Sequence, residues 1–120
     1  MKTDRFCIAY ITAKDLKQAR SIGKALVLER LAACVNILGR IESLYRWNGR
    51  LESGREVALI AKTTVAKSKK LAARVKALHS YECPCVVIVP IVGGNSAFME
   101  WIAEEVISDP PLPRLRRASR

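Results

Sequence analysis

The chain has 120 residues, half of them hydrophobic, with 21 basic and 11 acidic side chains and a formal charge of +10. That length fits one domain, and that apolar share builds a core without disulfide or metal staples. It excludes a helical membrane protein, because the longest apolar run, Cys83 to Val92, is short and carries two prolines.

Met1 to Arg5 lead into the apolar run Phe6 to Ile11, and Asp15 follows with no small-residue cleavage site. This start reads as a strand, not a signal peptide. A soluble, cytoplasmic protein with reduced cysteines is expected, without a membrane partner. The positive charge suits a polyanion. However, the basic residues are spread over two helices, a hairpin and the tail, which favours a solvated surface over a nucleic-acid face.

Phe6 to Thr12 is the first predicted strand. Asp15 suits an N-cap, with Gln18 as the second half of a capping box. Leu16, Ala19, Ile22 and Leu26 recur at helical spacing and predict a helix to about Leu31. Gly23 lies beside this stripe, where a small residue allows close approach to a sheet. Two long strands follow, within Cys34 to Thr63, joined by Trp47-Asn48-Gly49-Arg50. Asn-Gly accepts positive φ at both central positions and signals a two-residue hairpin.

Before the turn, Val35, Ile37, Ile41, Tyr45 and Trp47 alternate with polar residues, the period of a half-buried strand. After it, Val57 to Ala61 is apolar on both parities and predicts a central strand. Strict pairing through the turn would put Arg50, Glu52 and Glu56 on the face of Trp47, Tyr45 and Ile41. A bulge is therefore expected at Gly39-Arg40 or Ser53-Gly54. An arm of roughly 14 residues spans about 46 Å, against a diameter near ~35 Å for a globule of this size. The tip should project, and exposed aromatic residues with open strand edges call for cover by other copies of the chain.

Thr64 suits the N-cap of a second helix, with Leu71, Val75 and Leu78 inward and Lys67, Lys70, Arg74 and Lys76 on a solvated face. After the loop His79 to Cys85, the β-branched run Val86 to Val92 predicts a strand, with Pro90 marking an edge or a bulge. Asn95 or Ser96 should cap a last helix whose apolar side is Phe98, Trp101, Ile102 and Val106. The domain spans 1–108, and 109–120 reads as a flexible basic Pro/Arg tail. The order strand, helix, strand, strand, helix, strand plus a C-terminal helix is the split βαβ, ferredoxin-like α+β arrangement, with helices on one face of an antiparallel sheet.

Chemistry concentrates between Leu78 and Cys85. Imidazole and thiolate suit copper and zinc, so His79, Cys83 and Cys85 are the candidate metal ligands. The alternative is that Cys85 packs as a small hydrophobe and His79 caps the helix. Cys7 and Cys34 sit in apolar strand patterns and are expected in the core. No nucleophile elbow, paired-carboxylate motif, P-loop or dinucleotide fingerprint is present, so no enzyme is expected. Trp47 and Trp101 suit packing, and Trp47 also suits a ligand cleft.

Four stretches together resemble the CutA family of divalent-cation-tolerance proteins. They are Leu31-Ala32-Ala33-Cys34-Val35-Asn36-Ile37, Ser43-Leu44-Tyr45-Arg46-Trp47-Asn48-Gly49-Arg50, Glu56 to Thr64, and His79-Ser80-Tyr81-Glu82-Cys83-Pro84. The resemblance runs from about Phe6 to Ile107. It implies a cytoplasmic homotrimer with a ferredoxin-like subunit, held by long hairpins and similar to PII signalling proteins. It also implies a link to tolerance of copper and other divalent metals. Gly39-Arg40 stands where the family has Pro-Gly, and Cys85 replaces the usual carboxylate, which makes the loop softer and more copper-like.

Two functions follow as expectations. One is a metal-responsive trimer binding copper or another divalent cation weakly near His79. The other is a PII-like module binding a small ligand or partner protein between subunits, with Tyr45, Trp47, Tyr81, Glu82 and Trp101 at the cleft. Polyanion binding through the tail and second helix is a third.

Overall fold

The protein is described here from a computed structural model covering residues 5–107. The expected tail, 109–120, lies outside the described residues. The order is β1 (Phe6–Ala13), α1 (Leu16–Leu28), β2 (Cys34–Trp47), β3 (Arg50–Thr64), α2 (Val65–Leu78), β4 (Val86–Ile91) and α3 (Ser96–Glu105). The strands form one antiparallel sheet in the order β2-β3-β1-β4. This is the expected ferredoxin-like α+β fold with its added C-terminal helix.

α1 and α2 cover one face of the sheet. Ala9, Ile11 and Ala13 of β1 and Val57, Leu59 and Ala61 of β3 point to that face, and pack with Ala19, Ile22 and Leu26 of α1 and Leu71 and Val75 of α2. Gly23 has the predicted role: a Cβ there would sit 3.2 Å from Val35 Cγ1. Asp15 caps α1 by accepting from the Gln18 amide at 2.8 Å. The reciprocal Gln18 bond goes to the Lys14 amide, one residue earlier than a capping box has it. α1 ends at Leu28 rather than Leu31, because Arg30 takes a left-handed φ of 59° and the Leu31 amide folds back onto Leu26. Thr64 is the N-cap of α2 without a side-chain cap bond, whereas Asn95 accepts from both Ala97 and Phe98.

The other face lacks α1 and α2, and α3 covers only one end of it. Ile102 of α3 and its C-cap residue Val106 pack with Ala33, flanked by Phe6, Phe98 and Trp101. Cys7 is fully buried, but Cys34, also expected in the core, is only half-buried. Its register partner is Lys62, which puts it on this second face. β4 is an edge strand, as Pro90 suggests.

The hairpin turn has Asn48 at φ 52° and Gly49 at φ 76°, as expected of Asn-Gly. β1 pairs with β3 only over 57–64, so Arg50 to Glu56 pair with β2 alone. The hairpin tip projects, and the molecule measures 52 × 37 × 24 Å. Trp47 is half exposed and Leu51 is 79% exposed.

The bulge lies between Ile37 and Gly39, where the register shifts by one residue and Gly39 adopts φ 117°. Below it, Ile37 pairs with Leu59, facing the helices; above it, Ile41 pairs with Glu56, facing away. Tyr45 and Trp47 do share a face with Glu52 and Arg50 after all. The bulge does not relieve that mixture of polar and aromatic residues; it carries the mixture to the helix-free side. Replacing Gly39 by Ala forces a side chain into a strained backbone region. Chemical denaturation should show a loss of about 1–3 kcal/mol. Gly93→Ala, with nothing near its Cβ and no positive φ, should stay within about 0.5 kcal/mol.

Candidate functional site

Past the bulge, Ser43, Tyr45 and Trp47 of β2 share a face with Gly54 and Glu56 of β3, and with Tyr10 and Thr12 of β1. Gly54 leaves room for the Tyr45 hydroxyl, which lies 3.8 Å from where a Cβ would stand. The loop after α2 brings Tyr81, Glu82, Cys83 and Cys85 to the same place. Together these residues line a cavity of about 590 Å³. That volume is in the range of small-ligand sites.

His79 holds the loop. It is the C-cap residue of α2, and its amide bonds to the Val75 carbonyl at 2.9 Å. Its ring is buried and reaches back to the sheet, with Nε2 2.7 Å from the Thr12 carbonyl oxygen. A carbonyl only accepts, so Nε2 carries the proton. Nδ1 then accepts from the Tyr81 amide at 3.1 Å. The imidazole also lies against the Tyr81 ring, with centroids 4.5 Å apart. A second tether runs from Gln18 Nε2 to Ser80 Oγ at 2.9 Å.

The Tyr81 hydroxyl and the Glu56 carboxylate both line this cavity. Burial, then the charge and hydrogen bond of Glu56, push its ionisation above the ordinary tyrosine value, with smaller contributions from Tyr45 and Asp15. Hairpin and loop thus each contribute side chains to one cavity lining.

Of the expected metal ligands, Cys83 and Cys85 line the cavity as free thiols, Cys83 exposed and Cys85 half-buried. His79 stands behind the wall with both ring nitrogens engaged. To ligate a metal it would have to release the Thr12 carbonyl or the Tyr81 amide. Among the described residues no three His, Cys, Asp or Glu side chains converge as a metal-binding group. The donors therefore do not fit a closed divalent centre within one chain. Of the expected cleft residues, Tyr45, Trp47, Tyr81 and Glu82 do line the cavity, but Trp101 does not. It packs on Phe98, with centroids 5.4 Å apart, beside Ala33. Helical spacing had placed it on an apolar face but could not say at which end of the sheet.

Sequence reasoning missed Tyr10, Thr12, Ser43 and Glu56 at this site. The even positions of the first strand, Tyr10 and Thr12, carry hydroxyls against the apolar odd ones, and that alternation is the available signal. On α2, Arg74 makes a two-pronged pair with Glu29 at 2.8 and 2.9 Å, so part of the basic helix face is spent within the chain.

The fold and cavity define a class: ferredoxin-like chains with an overlong β-ribbon and a ligand-sized hollow beside it. The sequence pattern of the CutA1 divalent ion tolerance protein family matches residues 7–105, and the chain belongs to that family. It is 46% identical over 97 residues to the divalent-cation tolerance protein CutA of Thermus thermophilus, covering 81% of this chain and 94% of that one. The solved structure of the periplasmic divalent cation tolerance protein CutA from Archaeoglobus fulgidus is similar at a TM-score of 0.82 and 42% identity, covering 85% of this chain and 99% of that one. That of CutA1 from Oryza sativa is similar at 0.84 and 34%, covering 89% and 98%.

Two outcomes test the site. His79→Ala leaves the Thr12 carbonyl and the Tyr81 amide without their partner, and should cost about 2–4 kcal/mol in denaturation. Because Tyr81 ionises late in the folded chain, its contribution to stability is in place below the ordinary tyrosine value. That contribution is lost as pH rises through the raised folded value. Glu56→Gln should bring Tyr81 ionisation back toward normal, read as phenolate absorbance during a pH titration against Tyr81→Phe.

Proposed function

We propose that this chain acts as a cytoplasmic homotrimer in divalent-metal tolerance, copper foremost, and takes the ion weakly at the His79 loop. The observation that carries the reading is the pair of free thiols, Cys83 and Cys85, on the wall of one cavity, in a chain of the CutA1 family. Thiolates suit copper, and a site with few donors binds weakly. His79 serves first to hold the loop. The reading gives the chain a binding role and no reaction to catalyse. A reducing cytoplasm fits the unpaired thiols, and no helix among the described residues is long and apolar enough to cross a membrane.

Assembly with sister chains is supported by what the chain leaves uncovered, and the number three is what the family resemblance implies. β2 and β4 are both sheet edges. On the projecting ribbon, Leu44 and Leu51 sit diagonally on one face, and both are exposed, 69% and 79%. Sister chains are the natural cover for such a surface.

A second reading is a PII-like regulatory module that binds a small molecule. The cavity favours it, because Tyr45, Trp47 and Tyr81 offer ring faces while Glu56 and Glu82 offer acceptors.

Sedimentation equilibrium should give the mass of three chains, and Leu44→Asp with Leu51→Asp should shift it to the monomer. Metal analysis of protein loaded under reducing conditions should find copper. A ligand-induced melting shift that survives chelator would instead favour the second reading.

A further inference from the structure

We propose that Cys83-Pro84-Cys85 is a two-coordinate site for a thiophilic monovalent ion, copper(I), and that His79 positions the loop without touching the ion. This deepens the metal reading above and rests on it.

The donor set is the reason. Cys83 and Cys85 face the same cavity as free thiols. Cys83 lies in a bend and Cys85 just ahead of β4, and both side chains reach the same cavity lining. Pro84 fixes the φ between them and narrows the separations the pair can sample. The remaining thiols are elsewhere. Cys7 is fully buried in β1. Cys34 starts β2, at the opposite end of that strand from Tyr45 and Trp47, with its Sγ 3.8 Å from Asn36 Oδ1. His79, the nearest soft nitrogen donor in sequence, has both ring nitrogens bonded.

Two thiols are too few for the common divalent ions. Structural zinc takes four ligands in a tetrahedron. Calcium and magnesium take six or more oxygens. Thiolates suit copper(I), zinc and iron–sulfur clusters, and the latter two call for four ligands. Thus the family description speaks of divalent ions, whereas the donors on this loop suit a monovalent one. On binding, the two S–H protons leave to solvent and two Cu–S bonds form. Copper enters and remains as copper(I), so no oxidant or reductant is consumed. Cys83, being exposed, meets the ion first, and half-buried Cys85 draws it toward the cavity wall.

The test is an anaerobic competition of the full-length reduced chain against a coloured copper(I) chelator, with zinc(II) titrated separately. One copper(I) per chain should be withdrawn from the chelator. Cys83→Ser and Cys85→Ser should each abolish the withdrawal, and Cys34→Ser should leave it intact. His79→Gln should weaken it only about tenfold, as loss of a supporting residue does. Unchanged melting of the serine variants separates lost ligation from lost folding. Copper(I) withdrawal that persists in the double serine variant overturns the proposal. So does thiol-independent binding of zinc(II) or copper(II) with no copper(I) uptake, although that result would leave the metal-tolerance reading standing. If no ion binds in any state, both fall.

Discussion

One inserted residue governs this molecule. Leu38 is left over when Ile37 pairs with Leu59 and Gly39 pairs with Ala58. Because side chains alternate along a strand, the extra residue exchanges the two faces for everything beyond it. Val35 and Ile37 stay with the helices and the core. Ser43, Tyr45 and Trp47 turn to the open side of the sheet. Without the exchange, the ribbon would carry its aromatic rings on the helix side, and Tyr10 and Thr12 would face a surface of Leu44 and Arg46. The positive φ at Gly39 makes the exchange tolerable.

The second constraint is the imidazole of His79. It joins three pieces of chain: the end of α2, the carbonyl of Thr12 on β1 and the amide of Tyr81 on the loop. A buried ring with both nitrogens satisfied is rigid and holds one tautomer. The loop is thereby pressed against the sheet, and Tyr81 is brought within reach of Glu56 on the hairpin. Hairpin and loop are far apart in sequence, and the sheet and this one ring bring them together.

Much of the fold was legible because it rests on local signals. Asn48-Gly49 marked the turn, the alternation around Ile41 and Tyr45 marked the strand, and Asp15 and Asn95 marked helix starts. The run Val57 to Ala61 reads as a central strand, and it lies between β2 and β1. What stayed illegible depends on pairing between strands. A bulge was expected in the hairpin, but its place at Leu38 depends on which residues of β3 stand opposite. Cys34 looked like core because its neighbours are apolar, but its partner Lys62 lies on the open face. At this cavity, Cys83 and Cys85 could be named from local chemistry, whereas Tyr45, Trp47, Tyr81 and Glu82 were expected through the resemblance to PII-like proteins. Glu56 could not be named, since only the register of the strands brings it there, and Tyr10 showed only in the alternation of hydroxyl-bearing and apolar positions along β1. His79 stood out as the single histidine, but the fold already engages its Nε2 proton and its Nδ1 lone pair.

The ribbon above the bulge has a consequence of its own. From Arg50 to Glu56, β3 is bonded to one strand only, and a two-stranded ribbon is marginal in water by itself. Amide protons there should exchange with solvent through local fraying, whereas those of β1, flanked on both sides, should wait for global opening. The arm is therefore expected to open as a cooperative unit of its own, ahead of the body. It would register the arrival and departure of neighbours before the body of the protein senses either.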